Sequence, residues 1–349
     1  MRAAYIVGFG GPEAIRYGEL PDPEPGSGEV LVRTEAVAVD NVDTYVRSGA
    51  WPTPVDFPLA VGRDLVGTVA AVGPEVTEFA PGDRVWTNSA GYGGRPGATA
   101  ELAVVAQERL YRLPDGADPV RFVAAVHPGA TAYGVLIRRA RLRPGETVAV
   151  AGANGAVGMC LVQVAAATGA RVVAVARGHE EEHGQAGNAA TARRLSGLGA
   201  DRVVFVRDID QAPVAAHGTA AHGPAGRGID VLVDTTGRLA ASEAARQLNP
   251  RGRFVLIAGR DRRIELDQWS FYTRELQLLG FIMSAMTVGE LAAAAAWINH
   301  QHPVRPLEVS VGDVLPFSSA AHAHTLAERG ELPRLPDHTV GRLVLRPDR

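Results

Sequence analysis

The first third of the chain consists of short apolar, β-branched runs separated by turns rich in proline and glycine. Runs of this kind are typical of antiparallel strands that tight turns connect. The predicted strands cover residues 30–33, 36–39, 67–72, 83–87 and 102–105. This part of the sequence therefore predicts an antiparallel, barrel-like sheet.

From about residue 118 the pattern changes to apolar runs that alternate with helical stretches. A helix is predicted over residues 119–140, although Pro128 and Gly129 are expected to kink or break it. Further strands are predicted at 147–151, 171–176, 202–206, 231–234 and 254–258, and further helices at 157–168, 189–198 and 240–248. Strands that alternate with helices indicate a parallel, doubly wound sheet.

The remaining stretches predict surface loops and a return to the first sheet. Residues 178–190 and 211–228 are polar or glycine-rich and are predicted to be loops. After residue 300 the sequence predicts a histidine-containing helix at 318–329 and a short strand at 341–345 that rejoins the N-terminal sheet. One domain is thus expected to be inserted in another. The barrel domain would take residues 1–122 and 286–349, and the doubly wound domain residues 123–285.

Composition narrows the class of protein. With 35 basic and 38 acidic side chains among 349 residues, the net charge of −3 argues against nucleic acid as a partner. Gly10 interrupts the first apolar run and residues 291–298 are too few to span a membrane, so we expect a cytoplasmic protein without a leader or a membrane segment. Cys160 is the single cysteine, which excludes an internal disulfide and a multi-cysteine zinc site.

A glycine-containing turn follows directly on the predicted strand at 147–151 and opens the next helix. Gly155 would let a pyrophosphate approach the backbone, and Gly158 would let helix and strand pack closely, while the helix N-terminus attracts anions. Ala153 stands where the usual G-x-G-x-x-G pattern has its first glycine. The sequence favours a dinucleotide site over a plain strand-to-helix turn. The candidate cofactor contacts are Ala153, Asn154, Gly155, Ala156, Val157 and Gly158.

The residue at the end of the second strand of this domain distinguishes the two nicotinamide dinucleotides. A carboxylate there binds the ribose 2′-hydroxyl of NADH, whereas a basic residue suits the 2′-phosphate of NADPH. This chain has Arg177 at that place, so NADPH is favoured. A solvated arginine at a loop mouth is the alternative, and the nearby acidic run at residues 180–182 keeps it open.

In order and spacing, several motifs resemble those of the medium-chain dehydrogenase/reductase superfamily, and within it the zinc-free quinone oxidoreductases that include zeta-crystallin. The motifs span nearly the whole chain and lie at residues 41–49, 62–67, 81–85, 129–133, 152–158, 252–259 and 341–345. The resemblance implies a GroES-like N-terminal barrel, a Rossmann domain, and a nicotinamide in the cleft between them. It also implies a homodimer in which the strand-like residues 277–282 pair across the two-fold axis.

The resemblance also sets the expectation for metals. Zinc-dependent members would carry a cysteine near residues 40–41 and a His-Glu pair in the 62–67 motif, whereas this chain has Asp40, Arg63 and Asp64. A catalytic zinc needs about three protein ligands, commonly including a thiolate. We therefore expect no metal. The paired histidines His322 and His324 are expected at the surface.

Without a metal, hydrogen-bond donors must stabilise the charge that develops on the substrate as hydride arrives. Asn41 and Tyr45 are four residues apart, hence on one side of a helical turn, and match substrate-pocket residues of the resembling family. Tyr45 is the candidate donor of a proton or hydrogen bond, with a packed tyrosine or protonation by solvent as alternatives. Asn41 is the candidate for orienting the substrate or the nicotinamide ribose.

Further cofactor contacts follow from the resemblance alone. Thr131 matches a residue that bonds the cofactor amide or phosphate, with a helix cap as the alternative. Gly259 and Arg260 match the crevice at the carboxyl ends of the strands. Arg342 matches a basic position near the adenine phosphate.

The leading hypothesis is an NADPH-dependent quinone oxidoreductase that transfers hydride to a quinone or another conjugated carbonyl. An enoyl-thioester or enone reductase uses the same hydride and is the alternative. A thioester carrier would favour a basic patch, yet Arg47, Arg63 and Arg95 are scattered along the sequence and do not decide between the two. A cofactor-binding structural or RNA-binding protein, as some crystallins are, is an alternative that the balanced charge argues against.

Overall fold

A computed structural model describes residues 1–178, 182–207, 228–259 and 263–348. The chain forms two compact units. The first, called the barrel unit below, comprises Met1–Ala130, Ser284–Pro333 and Gly341–Arg349. The second, called the Rossmann unit, comprises Thr131–Met283 and Arg334–Val340.

The strands are numbered in chain order. Those that precede the Rossmann unit are β1 (Arg2–Ile6), β2 (Arg16–Glu19), β3 (Glu29–Ala38), β4 (Leu59–Ala60), β5 (Asp64–Val72), β6 (Arg84–Thr87), β7 (Leu102–Ala106) and β8 (Tyr111–Arg112). Those of the Rossmann unit are β9 (Thr147–Ala151), β10 (Arg171–Arg177), β11 (Arg202–Val206), β12 (Ile229–Asp234), β13 (Leu248–Leu256) and β14 (Gln277–Gly280). The barrel unit then adds β15 (Val311–Pro316) and β16 (Arg342–Arg346).

The α-helices are numbered in the same way. They are α1 (Asn41–Ser48), α2 (Pro119–Tyr133), α3 (Ala156–Ala167), α4 (Glu182–Leu198), α5 (Ala241–Gln247), α6 (Gln268–Thr273), α7 (Val288–Gln301) and α8 (Ala320–Arg329).

The barrel unit is built mainly on antiparallel strands, as predicted. Its larger sheet has the strand order β15-β16-β3-β5-β6-β8, with β7 also paired to β3, and its smaller sheet has the order β2-β1-β4. The two runs predicted at 30–33 and 36–39 form one strand, β3, whose register with β5 shifts between Thr34 and Ala36. The late strand β16 lies between β15 and β3 and so completes a sheet that starts early in the chain.

Alternating burial explains why the β3 run forms a strand with a fixed register. Val30, Val32 and Thr34 are buried, whereas Arg33 between them is exposed. Burying an aliphatic side chain of this size contributes about 1.5–3 kcal/mol. A slip of one residue would expose the whole buried set, so this register is strongly specified.

The Rossmann unit contains a six-stranded parallel sheet in the order β11-β10-β9-β12-β13-β14. The strand order reverses between β9 and β12. In open parallel sheets, ligands bind outside the carboxyl ends of the strands at such a switch point. The predictions at 147–151 and 202–206 coincide with β9 and β11 residue for residue.

The loop predicted over residues 178–190 is wrong from residue 182 onward, because α4 begins at Glu182, whereas the helix predicted over residues 189–198 forms the C-terminal part of α4. Thr191, Leu195 and Leu198 are buried on this helix, and the Thr191 hydroxyl donates to the main-chain carbonyl of Asp337. The free energy gained by packing this buried face outweighs the low helix propensity of the glycines and polar residues, which suggested a loop. Most of the second predicted loop, residues 211–228, lies outside the described residues.

Pro128 does not break α2. The helix continues to Tyr133 and then widens into a π-helix over Gly134–Arg139. Val126 is fully buried, and packing of this kind outweighs the hydrogen bond that a proline cannot donate. The segment Pro119–Arg139 is long and apolar enough to cross a membrane by length and composition alone, but 72% of its apolar window is buried inside the protein, as in a core helix.

Candidate functional site

The glycine turn lies at the carboxyl end of β9, where the strand order of the Rossmann sheet reverses. Gly152 has a φ of +80°, which side chains rarely tolerate. The N–H groups of Gly152 and Ala153 donate to the carbonyl oxygen of Val175 at 3.0 and 2.9 Å. Gly155 is the N-cap of α3, so the first turn of this helix offers N–H groups that have no partner within the helix. Such a helix start is the feature that binds pyrophosphate in dinucleotide folds.

Gly155 and Gly158 differ in what surrounds them. A Cβ on Gly158 would lie 2.2 Å from the carbonyl oxygen of Gly152 and 2.7 Å from the Cα of Ala153. A Cβ on Gly155 would have its nearest neighbour, the carbonyl oxygen of Gly152, at 3.5 Å. Gly158 is therefore required for the turn to pack on α3, whereas Gly155 leaves room for a ligand over the backbone. This cradle fits a nicotinamide dinucleotide.

Two further loops meet at the same edge of the sheet. The Asp234 carboxylate at the end of β12 accepts hydrogen bonds from the N–H groups of Thr236 and Leu239 at 2.8 and 3.1 Å. Gly237, in the loop so fixed, is packed so closely that a Cβ would lie 2.7 Å from the nitrogen of Gly259. The structure thus places Gly259 beside the loop that follows β12. Its predicted companion Arg260 lies outside the described residues.

The other predicted cofactor residues of the Rossmann unit occupy different environments. Arg177 is the last residue of β10 and is exposed; its strand lies next to β9. The carbonyl oxygen of Asn154 accepts a hydrogen bond from the N–H of Val340 at 3.2 Å. Thr131 is 8% exposed and lies inside α2, so it is not a helix cap.

Helix α1 of the barrel unit has one exposed and one buried face. Asn41 and Tyr45 are exposed on the first, and Tyr45 is 51% accessible. Asp43, Val46 and Arg47 are buried on the second. Tyr45 is therefore not packed under the barrel, and its side chain is open to a ligand.

A cluster of buried charges lies in the same unit. The guanidinium Nη1 of Arg342 donates to Oδ1 of Asp40 at 2.7 Å. The imidazole Nδ1 of His127 lies 3.4 Å from Oδ1 of Asp64 and 3.9 Å from Oδ2 of Asp40. Asp40, Asp64 and Arg342 are each at most 9% exposed. The charge of Arg342, which the resemblance associated with the adenine phosphate, is thus engaged by Asp40 within the barrel unit.

Burial and neighbouring charges set the protonation states in this cluster. Burial would raise the pKa of Asp40, but the charge of Arg342 and its hydrogen bond outweigh burial and hold that pKa below its ordinary value. Burial and the charge on Asp40 raise the pKa of Asp64 well above its ordinary value, and the same two causes raise the pKa of Asp43 to about 8. Burial lowers the pKa of His127. At neutral pH the cluster therefore contains an ionised Asp40 paired with Arg342 and a neutral His127, and the carboxyl groups of Asp43 and Asp64 take up a proton more readily than an exposed aspartate does.

The cluster also contains groups of the kind that coordinate metal ions. Ligand atoms of Asp40, Asp64 and His127 lie within 4.8 Å of one another. However, Asp40 is already bound by Arg342, and Arg63, only 1% exposed, adds a second positive charge close to Asp64. Two guanidinium groups therefore supply the positive charge that a cation would bring. The donor set does not favour zinc.

Sequence reasoning missed His127, and it named Arg63 and Asp64 without placing them in a buried cluster. His127 is a lone histidine in an apolar helix, and Arg63 with Asp64 is a charged pair inside an apolar run. Because buried charges require partners, a charge inside an apolar run is the signal that could have found them. The surface prediction for His324 is wrong, since it is 1% exposed, whereas His322 is exposed.

Two family models match the chain. The model of the alcohol dehydrogenase GroES-like domain matches residues 26–115, and that of the zinc-binding dehydrogenases matches residues 156–300. The quinone oxidoreductase of Homo sapiens is 29% identical over 325 residues, which cover 93% of each chain. The quinone oxidoreductase of Lama guanicoe is 31% identical over 328 residues, which cover 93% of this chain and 92% of that protein.

Solved structures show the same fold. An NAD-dependent alcohol dehydrogenase superposes with a TM-score of 0.80 at 28% identity, and the match covers all of both chains. The mycobacterial protein Rv1454c, solved in complex with NADPH, superposes with a TM-score of 0.78 at 28% identity, covering 99% of this chain and all of that one.

The sheets of the two units, the glycine turn and these matches define an oxidoreductase of the medium-chain dehydrogenase/reductase class. Within that class the chain belongs to the quinone oxidoreductase family, because its similarity to the guanaco protein extends over nearly the full length of both. The resemblance inferred from the sequence motifs is thereby confirmed.

Proposed function

We propose that the protein is an NADPH-dependent quinone oxidoreductase that transfers hydride to a quinone or another conjugated carbonyl without zinc. The observation that carries the proposal is the glycine turn at the switch point, with an arginine and no carboxylate at the end of the neighbouring strand. NADPH supplies the hydride when it is bound. Arg177 would pair with its 2′-phosphate, and the turn from Ala153 to Gly158 would hold its pyrophosphate.

The exposed face of α1 offers the groups that the reduction needs. As hydride reaches a quinone, negative charge grows on a carbonyl oxygen, and a hydrogen-bond donor at that oxygen lowers the barrier. We assign this donation to the Tyr45 hydroxyl, and the orientation of the substrate to the Asn41 amide. One hydride and one proton convert the quinone to the hydroquinone, and solvent restores the proton.

The buried charges of the barrel unit support reduction without a metal. The pairing of Asp40 with Arg342 at 2.7 Å commits one of the three close ligand groups. We expect metal analysis of the purified protein to show less than about one tenth of an equivalent of zinc, and dialysis against a chelator to leave activity unchanged. Stoichiometric zinc that is lost in Asp64→Asn would contradict zinc independence.

A panel of acceptors with NADPH and NADH tests the reaction itself. We expect oxidation of NADPH, followed at 340 nm, with 1,4-naphthoquinone and other quinones, and weaker oxidation of NADH. Enones and enoyl thioesters belong in the same panel, because the alternative function uses the same hydride. Turnover of thioesters with none of quinones would replace the proposed function by that alternative.

We also propose that the protein is a homodimer joined through β14. This strand is the last of the six-stranded sheet, and in the described part of the chain only β13 pairs with it. A free strand edge of this kind is suited to pairing with a second copy. Sedimentation should give a dimer for the wild type and a monomer for Leu279→Pro; a wild-type monomer would refute the proposal.

A further inference from the structure

Two arginines from separate loops of the barrel unit converge on one aromatic ring. The guanidinium carbon of Arg63 lies 5.0 Å from the centroid of the Tyr92 ring, and that of Arg95 lies 5.8 Å from it. Both distances are in the range of cation–π contact. The sequence leaves Arg63 and Arg95 apart, and the fold brings them together around Tyr92.

Neither arginine of this group has a carboxylate partner among the described residues. Arg63 is 1% exposed; its Nη1 donates to the Ser284 hydroxyl at 2.6 Å, and its Nε has no partner. Arg95 donates from Nε to the carbonyl oxygen of Ser89 at 2.7 Å. The Asp64 carboxyl is near Arg63, but among the described residues no carboxylate lies within ion-pair distance of its guanidinium, and a buried guanidinium without such a partner is costly.

The electrostatics of Arg95 agree with this picture. Burial, together with the positive charges of Arg109 and Arg63, lowers the pKa of Arg95 to about 10. The group nevertheless stays cationic at neutral pH. Two positive charges held close together favour the binding of an anion, since the anion compensates for the lost hydration of the guanidinium groups and reduces the repulsion between them.

Other buried arginines of the same unit are neutralised. Arg47 donates from Nη2 to the Glu328 carboxylate at 2.8 Å, and Arg342 donates to Asp40 at 2.7 Å. In the described part of the chain, the lack of a carboxylate partner thus distinguishes Arg63 and Arg95 from Arg47 and Arg342.

The pair is connected to the exposed face of α1. The indole N–H of Trp51 donates to the Tyr92 hydroxyl at 3.1 Å. The main-chain N–H of Trp51 donates to the carbonyl oxygen of Tyr45 at 3.1 Å. Trp51 thus connects Tyr92, the ring between the two arginines, to Tyr45, the residue assigned to the substrate oxygen.

We propose that Arg95, supported by the positive charge of the buried Arg63, binds an anionic group of the reducible substrate. The inference rests on the proposed function, because it assigns a substrate class to the same site: a quinone or conjugated carbonyl that carries a carboxylate, sulfonate or phosphate. The planar guanidinium forks suit the oxygens of such groups, and the Tyr92 ring suits an adjoining unsaturated carbon skeleton.

The test measures binding without turnover, so that its outcome does not depend on the reaction. Calorimetry would compare naphthalene-2-sulfonate with the neutral naphthalene-2-sulfonamide on the full-length protein. We expect the wild type to bind the sulfonate about tenfold more tightly than the sulfonamide, the size of a lost hydrogen bond to a charged group. Arg95→Met should abolish that preference, and Arg95→Lys should retain part of it because the charge remains.

Arg112→Met is the matched control. Arg112 also lies over an aromatic ring, 5.5 Å from the centroid of Phe79, but it pairs with Asp83 at 3.0 Å. This variant should keep the sulfonate preference of the wild type. Equal binding of the two probes to the wild type, or an unchanged preference in Arg95→Met, would overturn the inference.

A separate assay keeps the two proposals distinguishable. Reduction of neutral 1,4-naphthoquinone by NADPH tests the proposed function and does not involve the anion site. In turnover, the inference predicts that the ratio of KM for 1,4-naphthoquinone-2-sulfonate to KM for 1,4-naphthoquinone rises about tenfold in Arg95→Met. Reduction of the neutral quinone with no change in this ratio would refute the anion site and leave the proposed function standing.

Discussion

The arginines of this protein differ in what they can bind, because some are already paired with a carboxylate and others, in the described part of the chain, are not. Arg342 and Arg47 are buried and neutralised by Asp40 and Glu328. Arg177 is exposed at the open end of β10 and is held by no carboxylate among the described residues. An arginine can read a phosphate only if its charge is not already committed. Of these three, Arg177 alone meets that condition.

Replacing Arg177 by alanine should discriminate between the two dinucleotides. We expect the Kd for NADPH to rise about 10- to 100-fold, the range for a lost charged hydrogen bond, and the Kd for NADH to change little. Titration of cofactor fluorescence measures both constants. Arg202→Ala removes the same charge at the opposite end of neighbouring strand β11 and should affect neither. Equal loss of both cofactors in Arg177→Ala would refute the assignment.

Tyr45→Phe tests the donor to the substrate oxygen. Because the side chain is 51% exposed, removal of its hydroxyl should leave the fold intact. We expect kcat with an enone to fall about tenfold, less than for an obligatory general acid because solvent also supplies protons, with an unchanged Kd for NADPH. Tyr272→Phe, at a residue 60% exposed in α6, is the control. An unchanged kcat would remove Tyr45 from the mechanism.

At the scale of the element, the four residues from Gly155 to Gly158 meet two requirements. Gly158 lets the turn pack on α3, and Gly155 leaves room for a ligand. Gly158 has main-chain atoms where a Cβ would lie, and Gly155 does not. The turn also depends on β10, since Val175 accepts hydrogen bonds from both Gly152 and Ala153. Its shape is therefore fixed before any ligand binds.

Two alanine substitutions in this turn should have different effects. Gly158→Ala drives a methyl group into the Gly152 carbonyl and should destabilise the protein by about 1–3 kcal/mol, measured by chemical denaturation. Gly155→Ala has room in the protein, so its stability should match the wild type while its affinity for NADPH falls. The same loss of stability in both variants, with normal cofactor binding in Gly155→Ala, would exclude a ligand over Gly155.

Local patterns predicted some elements fully and missed others. The strand β9 and the turn after it could be predicted because an uninterrupted apolar run meets glycines at once. The C-terminal part of helix α4, residues 189–198, could also be predicted, but its start at Glu182 could not, because this helix packs on residues as distant as Asp337, which is 146 positions from Thr191. The same limit applies to the site: Asn41 and Tyr45 lie on one helix, whereas His127 with Asp64, and Arg63 with Arg95, become neighbours only through the fold.

At the scale of the whole molecule, each unit is assembled from stretches that are distant in the chain. The barrel unit needs its C-terminal stretch, since β16 lies between β15 and β3 and carries the Arg342 that neutralises Asp40. Helix α8 belongs to the same late stretch and contributes Ala323 and Ala327 to the barrel core. The stability of the unit therefore depends on groups in this tail.

His324 of α8 makes the stability of the barrel unit depend on pH. It is 1% exposed, and its Nδ1 has no hydrogen-bond partner. Burial, and secondarily the charge of Arg47, lowers the pKa of His324 to about 3, whereas in the unfolded chain the pKa is about 6.5. Between these values the unfolded chain binds the extra proton. Stability therefore falls as the pH drops below about 6.5, by up to about 1.4 kcal/mol per pH unit, and this contribution is exhausted near pH 3.

His324→Leu removes this titration and fills the same buried site with an apolar side chain. Its free energy of unfolding should fall less than that of the wild type between pH 7 and 4.5, by about 2.5 kcal/mol, measured by denaturant titration at each pH. His322→Leu, two residues earlier and exposed, should follow the wild-type curve. If His324→Leu also follows that curve, the histidine is protonated in the folded protein, and the acid sensitivity of the barrel unit lies in its buried carboxyl groups.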